Sequence, residues 1–105
     1  MVTLPDRVRT SVEEFIRQLN ANNLPIRQAY VFGSYAKGRQ SKWSDIDVAL
    51  VSDKFEGDMF DDRCKLSPYV VKIDTDIETH PFSPEDFTED NPFVKEIIRT
   101  GIRIF

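Results

Sequence analysis

Two aspartates one residue apart, Asp45 and Asp47, open an otherwise apolar run in the stretch GSYAKGRQSKWSDIDVAL, residues 33–50. In a β-strand, successive side chains alternate between faces, so Asp45 and Asp47 share one side while Ile46, Val48 and Leu50 share the other. A second acidic set follows in VVKIDTDIETH, where Asp74, Asp76 and Glu78 alternate with Ile73, Thr75 and Ile77. If these strands are neighbours, acids from both converge. Two carboxylates about 7 Å apart along a strand, joined by a third across roughly 5 Å, repel one another in a partly dry site. Divalent cations remove that penalty. With a single histidine and a single cysteine in the chain, an all-oxygen ligand set favours Mg²⁺, with Mn²⁺ as the alternative, over zinc. Magnesium usually shares its ligands with water and substrate phosphates, so the acids point to a phosphate-bearing substrate. Gly33-Ser34 supplies the complement: a glycine at a strand end allows close backbone approach, and a helix N-terminus after it offers unpaired N–H groups to an anion. Two ions held by Asp45 and Asp47 on one phosphate is the two-metal solution to phosphoryl transfer.

The elements that must position these groups follow from periodicity. After Pro5, the residues Val8, Val12, Phe15, Ile16 and Leu19 step by three and four, the spacing of an amphipathic helix that ends at NANN. IRQAYVFGS is a short apolar run with aromatic and branched residues and reads as a buried strand feeding into Gly33-Ser34. Residues 35–44 read as a helical turn and a loop, and DIDVALVS as the second strand. DKFEGDMFDDRCKLSPY reads as a loop with a short helix, and VVKIDTDIETH as the third strand. SPEDF has the features of a helix start, with Ser83 as cap and Pro84 at the first position. A last helix over about Asn91 to Thr100 closes at Gly101 before IRIF. The order helix, strand, strand, helix, strand, helix, strand predicts an α/β (α+β) fold with a mixed sheet of about four strands packed against helices.

At 105 residues the chain fits one domain, spanning residues 1–105. A hydrophobic share of 40% with a charged share of 30% is ordinary globular usage and argues against disorder. The formal net charge of -4 argues against a duplex nucleic-acid binder, which needs a basic face to neutralise phosphates. The lone Cys64 excludes an internal disulfide, and a reducing, cytoplasmic setting is the simplest reading. The N-terminus has no apolar core of a signal peptide, and no stretch approaches the roughly 20 apolar residues of a membrane span.

Gly-Ser, ten residues, then Asp-x-Asp at the head of an apolar strand resembles the minimal nucleotidyltransferases of the DNA polymerase beta-like superfamily. The resemblance runs along most of the chain, through the acidic third strand to the ending NPFVKEIIRTGIRIF. It implies a nucleotidyltransferase fold in which Gly33 and Ser34 bind the β- and γ-phosphates of a nucleotide and Asp45 and Asp47 ligate the metals. The family's third carboxylate lies on the next core strand and helps to activate the acceptor hydroxyl. Asp76 fits that role best because it precedes an apolar residue before the strand runs out, with Asp74 and Glu78 as competitors. The implied reaction is metal-dependent transfer of a nucleoside monophosphate, commonly AMP from ATP, with release of pyrophosphate. Family members this short often pair with a small helical HEPN protein in toxin–antitoxin modules, where the transferase attaches AMP to a tyrosine of its partner. The alternatives are a non-catalytic subunit acting on such a partner by contact, and a small-molecule or RNA-end transferase working as a homo-oligomer or with a helical subunit.

The remaining chemistry-bearing residues read as structural. Lys37, Arg39 and Lys42 read as solvating charges and His80 as a satisfied histidine at a strand end. Cys64 and Trp43 read as packing residues, and Phe93, Ile97, Ile98 and Phe105 as core.

Overall fold

The computed structural model describes residues 3–105; Met1 and Val2, the start of the domain expected over residues 1–105, lie outside the described residues. Three helices and four strands follow the expected order: α1 (Asp6–Ala21), β1 (Gln28–Phe32), β2 (Ile46–Val51), α2 (Met59–Ile73), β3 (Ile77–Phe82), α3 (Pro92–Thr100) and β4 (Ile102–Arg103). The strands form one mixed sheet in the order β3-β2-β1-β4. β1 lies antiparallel to both β2 and β4, and β2 lies parallel to β3.

The apolar stripe of α1 is buried as its spacing dictates, with Val8, Val12, Phe15, Ile16 and Leu19 all inside. The helix stops where Asn23 takes a left-handed φ of 63°, which asparagine tolerates better than most residues, and the Leu24 N–H returns to the Leu19 carbonyl at 3.0 Å. α1 and α2 cover one face of the sheet over Ala29, Val31, Ile46, Val48, Leu50 and Ile77. On the other face Tyr30, Ala49, Val51, Phe82 and Phe87 meet Val94 and Ile97 of α3. β2 is therefore buried on both sides except near its start, where Asp47 is only partly covered.

The segment between β2 and β3 departs from the expected layout. Val70 to Ile73, expected at the head of the third strand, form the last turn of α2, and β3 begins only at Ile77. Parallel neighbours cannot be joined by a tight turn, because the chain must travel back the length of the sheet before starting the next strand. The 15-residue α2 makes that return. Leu66, Tyr69, Val70 and Ile73, at helical spacing, pack it onto the core. The expected alternation of Asp74, Asp76 and Glu78 on one strand face is thus not realised: Asp74 terminates α2, Asp76 lies ahead of β3, and only Glu78 is within the strand. SPEDF forms a turn rather than a helix, with the Asp86 and Phe87 N–H groups both bonded to the Ser83 carbonyl at 3.1 Å. Trp43, Phe93, Phe105 and Cys64, expected to pack inside, are exposed, whereas Ile97 is buried as expected.

The loop entering α2 is held by a buried carboxylate. Asp62 accepts the Glu56 N–H at 3.0 Å, the Gly57 N–H at 3.0 Å and the Lys65 ammonium at 3.1 Å. Burial alone pushes the Asp62 carboxyl up, but the hydrogen bonds from Glu56, Lys65 and Gly57 together outweigh it and hold the group below its ordinary range. A depressed folded-state pKa stabilises the fold above the unfolded carboxylate range, and that contribution disappears as pH falls through the folded value. Asp62→Ala is expected to lower the unfolding free energy by about 1–3 kcal/mol at neutral pH in urea denaturation, since it removes the charged acceptor shared by two backbone N–H groups and the Lys65 ammonium. The gap to wild type should narrow below about pH 4 as the native carboxylate protonates; a gap constant into acid would show that its charge does not anchor the loop.

Candidate active site

The β2–β3 register places Asp47 directly beside Glu78, while Phe32 at the end of β1 pairs with Asp47 on its other side. Alternation along β3 then brings His80, two residues on, to the same face as Glu78. One ligand atom from each of Asp47, Glu78 and His80 lies within 4.8 Å of the other two. With Nε2 protonated, His80 donates to Asp47 Oδ1 at 3.3 Å, and both side chains are roughly a quarter exposed. The imidazole stands edge-on to Phe32 at 4.9 Å and to Phe93 at 6.2 Å between ring centroids. Phe93 is placed there by the start of α3, where Pro92 occupies the first turn and the Asn91 side chain accepts the Phe93 N–H at 2.9 Å.

Gly33 is the other fixed point. It ends β1 with φ +73°, a left-handed conformation, and a Cβ placed on it would sit 2.5 Å from Asp47 Oδ2. Only glycine both turns the chain here and leaves room for the Asp47 carboxylate against its backbone. Beyond it the chain turns without forming a regular helix: the Lys37 N–H bonds the Gly33 carbonyl at 3.1 Å and the Arg39 N–H bonds the Ser34 carbonyl at 2.9 Å. The helix N-terminus expected after Gly33-Ser34 is thus a succession of turns.

Asp45 lies exposed just ahead of β2, and its carboxylate is outside the Asp47–Glu78–His80 group. Asp76 is also exposed and outside it. Its main chain ties the strands together instead, with its carbonyl accepting the Ile46 N–H at 2.8 Å and its N–H donating to Asp74 Oδ1 at 2.9 Å. Asp74 is further occupied by Arg7 at 3.8 Å. Of the three competing acids, the one brought to Asp47 is Glu78 rather than the expected Asp76. His80, read from sequence as structural, stands in the same group. The available signal was its alternation with Glu78, which becomes visible only once β3 is known to start at Ile77.

Two carboxylates and an imidazole at this spacing are a donor set suited to a divalent cation, and the oxygen donors alone suit Mg²⁺ or Mn²⁺. A partly open mouth leaves room for further ligands from water or a phosphate.

Comparison with known proteins identifies the family and the fold. The family model for "Polymerase beta, Nucleotidyltransferase" matches residues 14–105, and the chain belongs to that family. Among solved structures, one from Sulfolobus solfataricus, provisionally assigned as a nucleotidyltransferase, superposes with a TM-score of 0.68 at 19% identity, covering 92% of this chain and 78% of that one. A toxin–antitoxin structure with AMP-PNP gives a TM-score of 0.63 at 23% identity, covering 89% of this chain and 72% of that one. An aspartate-to-glutamate double mutant of the toxin–antitoxin MntA–HpeT gives 0.60 at 20% identity, with coverage of 89% and 72%. At these identities the likeness establishes the nucleotidyltransferase fold. No curated protein sequence matches the chain significantly.

Gly33→Ala is expected to fold with a melting temperature lowered by several degrees, since strain of about 1–2 kcal/mol in a domain of this size is worth roughly 4–8 °C per kcal/mol. Because the new methyl group must displace Asp47, the NMR resonances of the His80 ring should move in the same variant. Unchanged melting together with unmoved His80 resonances would refute the close packing of Gly33 on Asp47.

Proposed function

We propose that this nucleotidyltransferase domain transfers AMP from ATP to an acceptor hydroxyl, releasing pyrophosphate, and that the acceptor is a tyrosine of a small helical HEPN-type toxin. The observation that carries the reading is the convergence of Gly33, Asp47 and Glu78 at one strand mouth. The nucleotide and partner are supported by the structural likeness to toxin–antitoxin proteins, one of them with AMP-PNP. In this reading Gly33 and Ser34 hold the β- and γ-phosphates through the backbone of the turn. Asp45, Asp47 and Glu78 hold the metal, with Glu78 taking the role the sequence had suggested for Asp76. Divalent ions held by these residues, two as in other phosphoryl-transfer sites, would neutralise charge on the triphosphate and act as Lewis acids toward it.

The chain's own groups do the rest. The acceptor oxygen forms a bond to the α-phosphorus, the bond from that phosphorus to the α–β bridging oxygen breaks, and pyrophosphate leaves with the electron pair. The acceptor proton goes to a Glu78 carboxylate oxygen. Asp45, exposed ahead of β2, shares by alternation the side of the strand on which Asp47 stands. His80 holds one oxygen of Asp47 by its hydrogen bond, which leaves Oδ2 turned toward Gly33 and the phosphate loop. Phe32 and Phe93 stand against the imidazole and limit the positions its ring can take.

In this reading the protein works in the cytoplasm, beside the toxin it modifies. No helix among the described residues is long and apolar enough to cross a membrane. The test is transfer of label from α-³²P-ATP to a co-expressed helical partner. Asp47→Asn and Glu78→Gln should each lower transfer at least about 100-fold, the scale on which acid–base groups act, while Asp76→Asn should stay within about threefold of wild type. Loss of transfer in Asp76→Asn with full activity in Glu78→Gln would overturn the assignment of the third carboxylate. A chain that binds the partner but transfers no label would replace catalysis with action by contact.

A further inference from the structure

The outer face of α2 carries an apolar stripe that the core does not use. Phe60 is 76% exposed and Val71 73%. Cys64 and Ser67, both exposed, lie between them, and with Arg63 the first part of the stripe borders a groove of about 480 Å³. Phe60, Cys64, Ser67 and Val71 follow one another at spacings of four, three and four residues, which places them in line on one side of a helix. This is the spacing found at the seam of a helix pair. The core-facing side of the same helix is already filled by Leu66, Tyr69, Val70 and Ile73, so the second stripe is surplus to the fold.

The order of residues in the stripe specifies its occupant. Large side chains stand at the two ends and small ones at the centre, so the pattern is nearly the same read in either direction. When a second α2 is laid antiparallel on the first, Phe60 faces Val71 of the second copy and Cys64 faces Ser67 of the second copy, with the small central residues allowing close approach. The charges agree with that orientation. Asp61 near the start of α2 and Lys72 near its end lie on the same flank of the stripe, both exposed, and neither has an ion-pair partner among the described residues. At 1.5 Å per residue, the antiparallel arrangement brings Asp61 to within about 3 Å, along the axis, of Lys72 of the second copy, twice by symmetry. On the other flank the two Arg63 side chains fall about 7.5 Å apart along the axis and remain solvated. A parallel pair would instead set Asp61 against Asp61 and Lys72 against Lys72.

We propose that the chain forms a two-fold symmetric dimer through antiparallel α2 helices, seamed by Phe60, Cys64, Ser67 and Val71 and flanked by two Asp61–Lys72 ion pairs. The interface is isologous, the commonest form of soluble oligomer. It also leaves the candidate active site free, because α2 covers the sheet face opposite to the one that carries Asp47 and α3. Each copy in the pair therefore presents its site outward, and the proposal stands whether or not the AMP-transfer reading does.

Cys64 provides an internal probe. Cys64 and its symmetry mate lie about 4.5 Å apart along the axis, within reach of a short bismaleimide, so the full chain should crosslink to a covalent dimer. Sedimentation equilibrium at low micromolar concentration should show a dimer for the wild type and a monomer for Phe60→Asp, which places a charge on an exposed side chain and leaves the fold intact by circular dichroism. Asp61→Lys and Lys72→Asp should each weaken the dimer several-fold, and the double variant should recover it. A wild-type chain that stays monomeric up to hundreds of micromolar, a Phe60→Asp dimer as tight as wild type, or a double variant no tighter than the singles would each overturn the proposal. So would a wild type found only in complexes with other proteins and never with itself.

Discussion

The parallel pairing of β2 with β3 is the constraint on which the other features depend. Its register sets Asp47 beside Glu78, and because side chains alternate, the same register delivers His80 to the same face two residues later. Parallel neighbours also require a long return path, so α2 exists for the sake of this pairing and covers the sheet as it goes back. A slip of one residue along β3 would turn Glu78 and His80 into the α1/α2 core and bring Ile77 and Thr79 out to Asp47. The hydrophobic pattern that forbids the slip is Ile77 and Thr79 buried on one side and Phe82 buried on the other. The core therefore enforces the site, although no core residue belongs to it.

The candidate site sits where burial fades. β2 is covered on both faces from Val48 onward, and a carboxylate at Ala49 or Val51 would be desolvated without compensation. Asp47, one step nearer the mouth, keeps a quarter of its side chain exposed and can be reached from solvent. Its position is determined from two directions, by the His80 hydrogen bond at Oδ1 and by the Gly33 backbone against Oδ2. Gly33 follows the preceding strand directly, so the glycine turn and the acid are fitted to each other by contact rather than by shared membership of one element.

Local pattern made much of this legible in advance. The stripe of α1, the β1 run ending in glycine and the Asp-x-Asp at the head of β2 each carry their own periodicity or spacing, and all three lie where the residues indicate. The third strand was misplaced because KIDTDIET alternates like a strand across a stretch in which the helix has not yet ended. The competing signal was also present: Leu66, Tyr69, Val70 and Ile73 have helical spacing, obscured by Pro68 and by the β-branched pair Val70-Val71. Pro68 is accommodated on the exposed side of α2, where losing one N–H matters least. The strand start decides which acid can neighbour Asp47, since a strand beginning at Val70 offers three equivalent acids and one beginning at Ile77 offers only Glu78. The place of His80 beside Asp47 is not visible without that start, because it comes from a cross-strand neighbour and not from any motif of its own.

Exposure of large apolar side chains was illegible for a different reason. Periodicity shows which residues share a face, but not which of two apolar faces meets the core. α2 carries two such faces about half a turn apart, and only the packing distinguishes Leu66 and Ile73 from Phe60 and Val71. Phe93 presents the same ambiguity in α3: it sits in the first turn beside buried Val94 yet turns toward Phe32 and His80 at the site mouth. In both helices the apolar residues left over after the core is filled lie at a surface with a use, a ring wall beside the acids in one case and a second seam in the other. A small sheet with three helices has too little interior to hide every aromatic residue, so where the surplus is placed is a matter of what it will next touch.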